Sequence, residues 1–158
     1  MPTPTYEPVA DVTLGSGISE VTISNLSGFR HYVVEFVGAL TGAESIRVTF
    51  NGNTSNYGYR FAYTNQAGVA LTLGANSQSY SSILNTNTTR FSFVGHLVNA
   101  SATNTHKAMV GTMSRSDQSI ANFGLQWADN SAITSIKFYL ATNDFSNGSR
   151  FAMYGLVG

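Results

Sequence analysis

Apolar and polar residues alternate with period two along most of this chain, a pattern that half-buried strands produce and helices do not. Ile46, Val48 and Phe50 alternate with Arg47 and Thr49, and Ile136, Phe138 and Leu140 alternate with Lys137 and Tyr139. Val21 and Ile23 share one face of SEVTISN, Phe91 and Phe93 one face of RFSFVGHLV, and Phe151 and Met153 one face of the closing RFAMYGLVG. The residues in these runs are largely β-branched or aromatic, as pleated surfaces favour. Gly, Asn, Ser, Asp and Thr cluster between the runs at 15–17, 25–28, 41–42, 51–56, 65–68, 85–89, 99–105, 129–131 and 143–149, where turn chemistry is expected. The nearest approach to a helical stretch, NQAGVALTLG, carries two glycines that argue against it.

About ten strands with short, regular connections predict an all-β fold, an antiparallel two-sheet sandwich of jelly-roll type. No internal repeat supports a propeller or β-helix. The length of 158 residues suits one domain, taken as residues 9–158. All three prolines fall within residues 1–8, which read as an extended N-terminal arm because proline cannot join a central strand.

Charge narrows the function classes. Eight Lys and Arg balance eight Asp and Glu, and charged residues make up 10% of the chain, against about 25% in an average domain. Nothing here supports counterion-release binding to nucleic acid. Polarity comes from Ser, Thr and Asn, which supply 50 residues. No cysteine is present, which excludes disulfides and thiolate metal sites. MPTPTYEP has neither the basic region nor the apolar stretch of a signal peptide. VVEFVGAL, interrupted by Glu35, is too short to span a bilayer, so no membrane partner is expected.

Candidate sites are few. His31, His96 and His106 lie in no catalytic motif, and neither a nucleophile elbow nor a zinc-protease signature occurs. The acids are Glu7, Asp11, Glu20, Glu35, Glu44, Asp117, Asp129 and Asp144, most of them in or beside turns. Glu35 stands out among apolar neighbours and reads as an outward-facing or paired glutamate. The expectation is therefore no catalytic residue, no metal and no cofactor. NGNTSN lacks the carboxylates a calcium loop needs, and TNDFSNGS offers one, Asp144. Sequons begin at Asn25, Asn53, Asn87, Asn99 and Asn147, as expected by composition in a chain so rich in Asn, Ser and Thr. Trp127, Tyr57, Tyr59, Tyr63, Tyr80 and Tyr139 are the aromatics that could carry a glycan, fill the core or line an interface. Tyr57, Tyr59 and Trp127 are singled out as interface or glycan contacts. In FNGNTSNYGYRF, Asn51-Gly52 should open a turn with positive φ, with Tyr57 and Tyr59 on one face of the next strand.

The order and spacing of several short motifs resemble a family of small β-sandwich virion proteins of tailed bacteriophages, including cyanophages. The similar features are Trp127, then AITSI at 132–136, then the turn from Phe145 to Phe151, then Tyr154-Gly155. YEPVADVTLGS at 6–16 is similar to the family's opening strand, SRS at 114–116 to a usual triplet, and Phe50-Asn51-Gly52 with Asn56-Tyr57 and Tyr59 also fits. Ala128 follows Trp127 where the family often has Arg. The resemblance spans most of the chain and is weakest over 65–105. It implies a virion structural role on the particle surface, after synthesis in the host cytoplasm. The implied partners are a second and third copy of the chain, in a homotrimer, and the major capsid protein or other virion proteins. A capsid decoration (cement) protein is the first expectation, since the chain is short, starts at its own methionine and lacks a fibre's shaft. The alternative is a tail-fibre or spike module that binds a receptor or host carbohydrate.

Overall fold

The alternating runs become twelve strands in a computed structural model that describes residues 5–64, 70–83, 90–116 and 120–157, with no helix among them. The strands are β1 (Tyr6–Thr13), β2 (Glu20–Ser24), β3 (Tyr32–Ala39), β4 (Ile46–Phe50), β5 (Tyr57–Thr64), β6 (Ala70–Gln78), β7 (Ser81–Ile83), β8 (Arg90–Val98), β9 (Lys107–Arg115), β10 (Ile120–Trp127), β11 (Ser135–Tyr139) and β12 (Arg150–Leu156). The turns expected at 65–68 and 85–89, the sequon at Asn87, Asp117 and the side chain of Tyr63 lie outside the described residues, as do the first four residues of the expected arm.

All ladders are antiparallel. One sheet has eight strands in the order β1-β12-β3-β8-β9-β10-β5-β6, the other four in the order β2-β11-β4-β7. Setting aside the β5–β6 and β9–β10 segments leaves eight strands arranged first-eighth-third-sixth against second-seventh-fourth-fifth. That is the double Greek-key order of a jelly roll. The two added segments widen one sheet, so one face of the sandwich is about twice as broad as the other.

The inward parities match the sequence reading. Val21, Ile23, Ile46, Val48, Phe50, Phe91, Phe93, Ile136, Phe138, Leu140, Phe151 and Met153 are all buried. Phe36, on β3, sits among Phe151, Phe91, Phe93 and Phe145 with ring centroids 4.7, 4.9, 5.7 and 5.9 Å away. Gly95 and Gly111 face each other across β8 and β9 beneath Phe123. A Cβ at Gly111 would land on the Val94 carbonyl oxygen and 2.6 Å from Phe123 Cζ, so this close packing of ring on backbone requires glycine.

The arm's boundary and the strand count differ from expectation. Tyr6–Pro8 is the start of β1, paired with β12, so the arm cannot extend to residue 8. Proline is accommodated because β1 is an edge strand and its register shifts between Pro8 and Ala10. The strand count is twelve among the described residues because β7 is only three residues long and β6 carries no clean alternation.

Candidate functional site

FNGNTSNYGYRF opens with a tight turn. Asn51 (φ 53°) and Gly52 (φ 67°) are both left-handed, and Asn53 N–H donates to Phe50 O at 2.9 Å, which defines a primed turn where the chain leaves the four-stranded sheet for the eight-stranded one. The Asn51 side chain ties this turn to the segment before β11. Its Oδ1 accepts from Thr134 N at 2.7 Å and Ser135 N at 3.1 Å, and its Nδ2 donates to Ala132 O at 2.7 Å.

Tyr57 and Tyr59 do share a face, and that face is the inner one. Tyr57 is 1% exposed. Its hydroxyl accepts from Phe50 N–H at 2.8 Å and donates toward the carbonyl oxygens of Phe50 and Asn53 at 3.3 Å. Burial pushes its phenol up to about 12, against the lowering effect of the Phe50 backbone. Trp127, also 1% exposed, stacks on Tyr57 at 6.2 Å. Expecting Tyr57 and Trp127 to meet a glycan or neighbouring subunit is therefore corrected: both are core side chains, out of reach of any partner while the sandwich is closed. Tyr59 is half-buried and stacks on Phe61 at 5.1 Å. Tyr80 and Tyr139 meet edge-on, with the Arg47 guanidinium 4.5 Å from the Tyr80 ring centre.

The two outer faces differ in chemistry. The four-stranded sheet presents Glu20 and Lys137 in an ion pair at 3.3 Å and the Arg47–Tyr80–Tyr139 stack. The eight-stranded sheet presents Val37, Val94, Val110 and Ile120, with Val37 and Ile120 more than 60% exposed. Among the described residues, five of the six exposed large hydrophobics, Tyr6 included, lie on this face, and Ile18 is the exception. Asp11 and Arg150 stand on adjacent β1 and β12 in a two-bond pair, 2.7 Å each. The Arg150 hydrogen bond holds the Asp11 carboxyl below its usual range, and the Arg150 guanidinium is raised in turn.

Among the described residues, open clefts border or indent the broad face. One of about 540 Å³ lies between Val37, Arg90, Ser114 and Asn147, and a second of about 500 Å³ lies beside Arg60, His106 and Gln126. The third, about 400 Å³, is lined by Tyr6, Val33, Glu35, Val94, His96 and Tyr154. Glu35 does face outward, as its setting suggested. His31 Nδ1 accepts from Asn99 N–H at 3.3 Å and is a loop brace. No group of three His, Asp or Glu that could hold a metal ion occurs among the described residues. The sequence reading passed over Tyr6, Tyr154, Val94 and Val110. The signal was apolar residues at both parities of β3, β8 and β9, which marks strands buried on one face and apolar on the other.

Glu44 holds a loop. Its carboxylate accepts from the backbone N–H groups of Ala141, Thr142 and Asn143, from Thr142 Oγ1 at 3.1 Å and from Asn143 Nδ2 at 3.1 Å. Burial raises this carboxyl, but the hydrogen bonds outweigh burial and hold it below 4.5. A depressed folded value stabilises above the unfolded value and is lost as pH falls through the folded one. Glu44→Gln is expected to cost about 1 kcal/mol at pH 7, given the group's partial exposure. In urea melts the difference from wild type should shrink as pH falls from the ordinary glutamate range through the lowered folded value. A difference that persists undiminished at pH 3 would show that the ionised carboxylate is not what holds the loop.

No protein-family model matches the chain, and no curated protein matches it. Among solved structures, the chain is similar to galectin LEC-6 of Caenorhabditis elegans, with 6% identity over 94% of this chain and 96% of that one, at a TM-score of 0.38. It is similar to a mutant alginate lyase Aly36B in complex with alginate tetrasaccharide, with 13% identity over 92% and 77% at 0.35. It is also similar to the marine PL-14 alginate lyase from Aplysia kurodai, with 9% identity over 84% and 71% at 0.31.

Proposed function

We propose that the chain is a virion structural protein of a tailed bacteriophage, a capsid decoration protein that docks on the outer shell and stabilises it. The observation that carries this reading is the broad sheet face, which among the described residues exposes the apolar side chains Val37, Val94, Val110 and Ile120. Exposed apolar patches on soluble domains mark interaction sites. A protein that binds only the assembled shell adds its binding free energy to that shell by mass action. Between Val110 and Ile120 this face exposes Thr112, Ser114 and Asn122, neutral side chains that supply hydrogen bonds without charge.

Labelled protein mixed with expanded capsids should bind at symmetric sites. Binding should survive salt of about 1 M, where the screening length is about 3 Å. Val110→Asp with Ile120→Asp should abolish it, because two carboxylates would then be desolvated without partners. Thermal melts of the double variant verify that it folds. Capsid binding that is stripped by salt, or that is unchanged in the folded double variant, would remove the support for this face as the docking surface.

A further inference from the structure

The cleft at the β1–β12–β3–β8 end of the broad face holds four side chains with chemistry and no internal use for two of them. In the β3–β8 ladder Val33 lies opposite His96 and Glu35 opposite Val94, so Glu35 and His96 are diagonal neighbours on one face. In such ladders diagonal residues are roughly 7–8 Å apart. In the β12–β3 ladder Tyr154 lies opposite Val33, and Tyr6, on β1, is 50% exposed beside it. Val33 and Val94 form the apolar part of the lining.

Glu35 is half-buried, with Ala152 and Val94 as its register neighbours. Among the described residues neither the Glu35 nor the His96 side chain makes a hydrogen bond or ion pair. The cation two positions along, Arg150, has its guanidinium taken by Asp11 through both carboxylate oxygens. The Glu35 carboxylate lines the open cleft and can accept two donors at once.

These observations select a ligand class. Two phenol rings and a valine floor suit a flat, C–H-covered surface. A carboxylate suits a pair of neighbouring hydroxyl donors, and an imidazole beside it can donate to or accept from a third. An anionic ligand would face Glu35 at close range, and an ammonium ligand would leave His96 without a role. The cleft volume of about 400 Å³ falls at the small end of the range for ligand sites, about 300–1,000 Å³. We infer that this cleft binds a neutral saccharide residue, with the ring against Tyr6 and Tyr154 and its hydroxyls on Glu35 and His96. The inference does not depend on where in a virion the chain sits, and its residues are separate from Val110 and Ile120, whose substitution tests docking.

Intact protein titrated with neutral gluco-, galacto-, manno- and chito-oligosaccharides, followed by ligand-observed and amide NMR, tests it. At least one of these probes should bind, with shifts centred on residues 33–37, 94–96 and 152–155. Glu35→Gln should weaken binding at least about tenfold, since hydrogen bonds to an ionised acceptor are roughly twice as strong as neutral ones. Tyr6→Ala, on the edge strand, should weaken it similarly, and Ile120→Asp should leave it unchanged. Amide spectra that superpose away from the cleft show that each variant folds. No binding of any neutral oligosaccharide at its solubility limit overturns the inference. So does capture of choline or a polyuronate in its place, or binding indifferent to both Glu35→Gln and Tyr6→Ala. Capsid docking can fail while saccharide binding holds, and the reverse, so the two proposals are separable.

Discussion

Replacing Phe36 by alanine will lower the unfolding free energy by about 3–5 kcal/mol, the range for a large aromatic removed from a core. The upper half of that range is expected, because Phe36 is 0% exposed and meets four other phenylalanine rings. Those rings come from three separate parts of the chain: Phe91 and Phe93 on β8, Phe151 on β12, and Phe145 in the loop before β12. The backbones of Phe91, Phe93 and Phe151 are fixed in their ladders and Phe145 is tied to Ile18, so the surrounding chain can close only part of the cavity. Domain stability is about 5–15 kcal/mol, so this one ring accounts for a large share. Urea denaturation should show the midpoint falling at unchanged slope, which marks a loss of stability and not of two-state behaviour. A loss below about 1 kcal/mol would mean that the sandwich does not centre on Phe36.

The strands and their buried parities were legible because period two is a local property. Ile46, Val48 and Phe50 need only their own neighbours to declare a face. The loop at Asn51-Gly52 was legible for the same reason, since Asn-Gly favours the primed turn found there. Tyr57 was placed on the right face with Tyr59, but the polar run before it suggested that the face was exposed. The alternation of Tyr57, Tyr59 and Phe61 with Gly58, Arg60 and Ala62 carried the opposite sign and was the better guide. Ala121, Phe123, Leu125 and Trp127 alternate in the same way with Asn122, Gly124 and Gln126. The Tyr6, Glu35, His96 and Tyr154 cleft was not legible. It exists only because β12 inserts between β1 and β3, which brings the last strand beside the first. Such pairing across the chain leaves no local mark, and a glutamate among valines reads alike whether it faces open solvent or a cleft.

Trp127→Ala is expected to cost about 3–5 kcal/mol as well, and the comparison with Trp127→Phe separates packing from polarity. The indole lies on Tyr57 with an interplanar angle of 14° and meets Phe50 at 5.7 Å, so it joins β10, β5 and β4. Its Nε1 is buried and has no hydrogen-bond partner among the described residues, a donor that burial penalises by about 1–3 kcal/mol. Phenylalanine keeps one ring on Tyr57 and removes the unsatisfied donor, so Trp127→Phe should cost less than half as much as alanine. Circular dichroism melts compare the two variants. In the wild type Trp127 is the sole tryptophan, so its fluorescence should be blue-shifted in the native state and move red in the same transition. If alanine leaves stability unchanged and the fluorescence already reports a wet indole, the ring is not part of the core, and the contact role first suggested by the sequence would stand again.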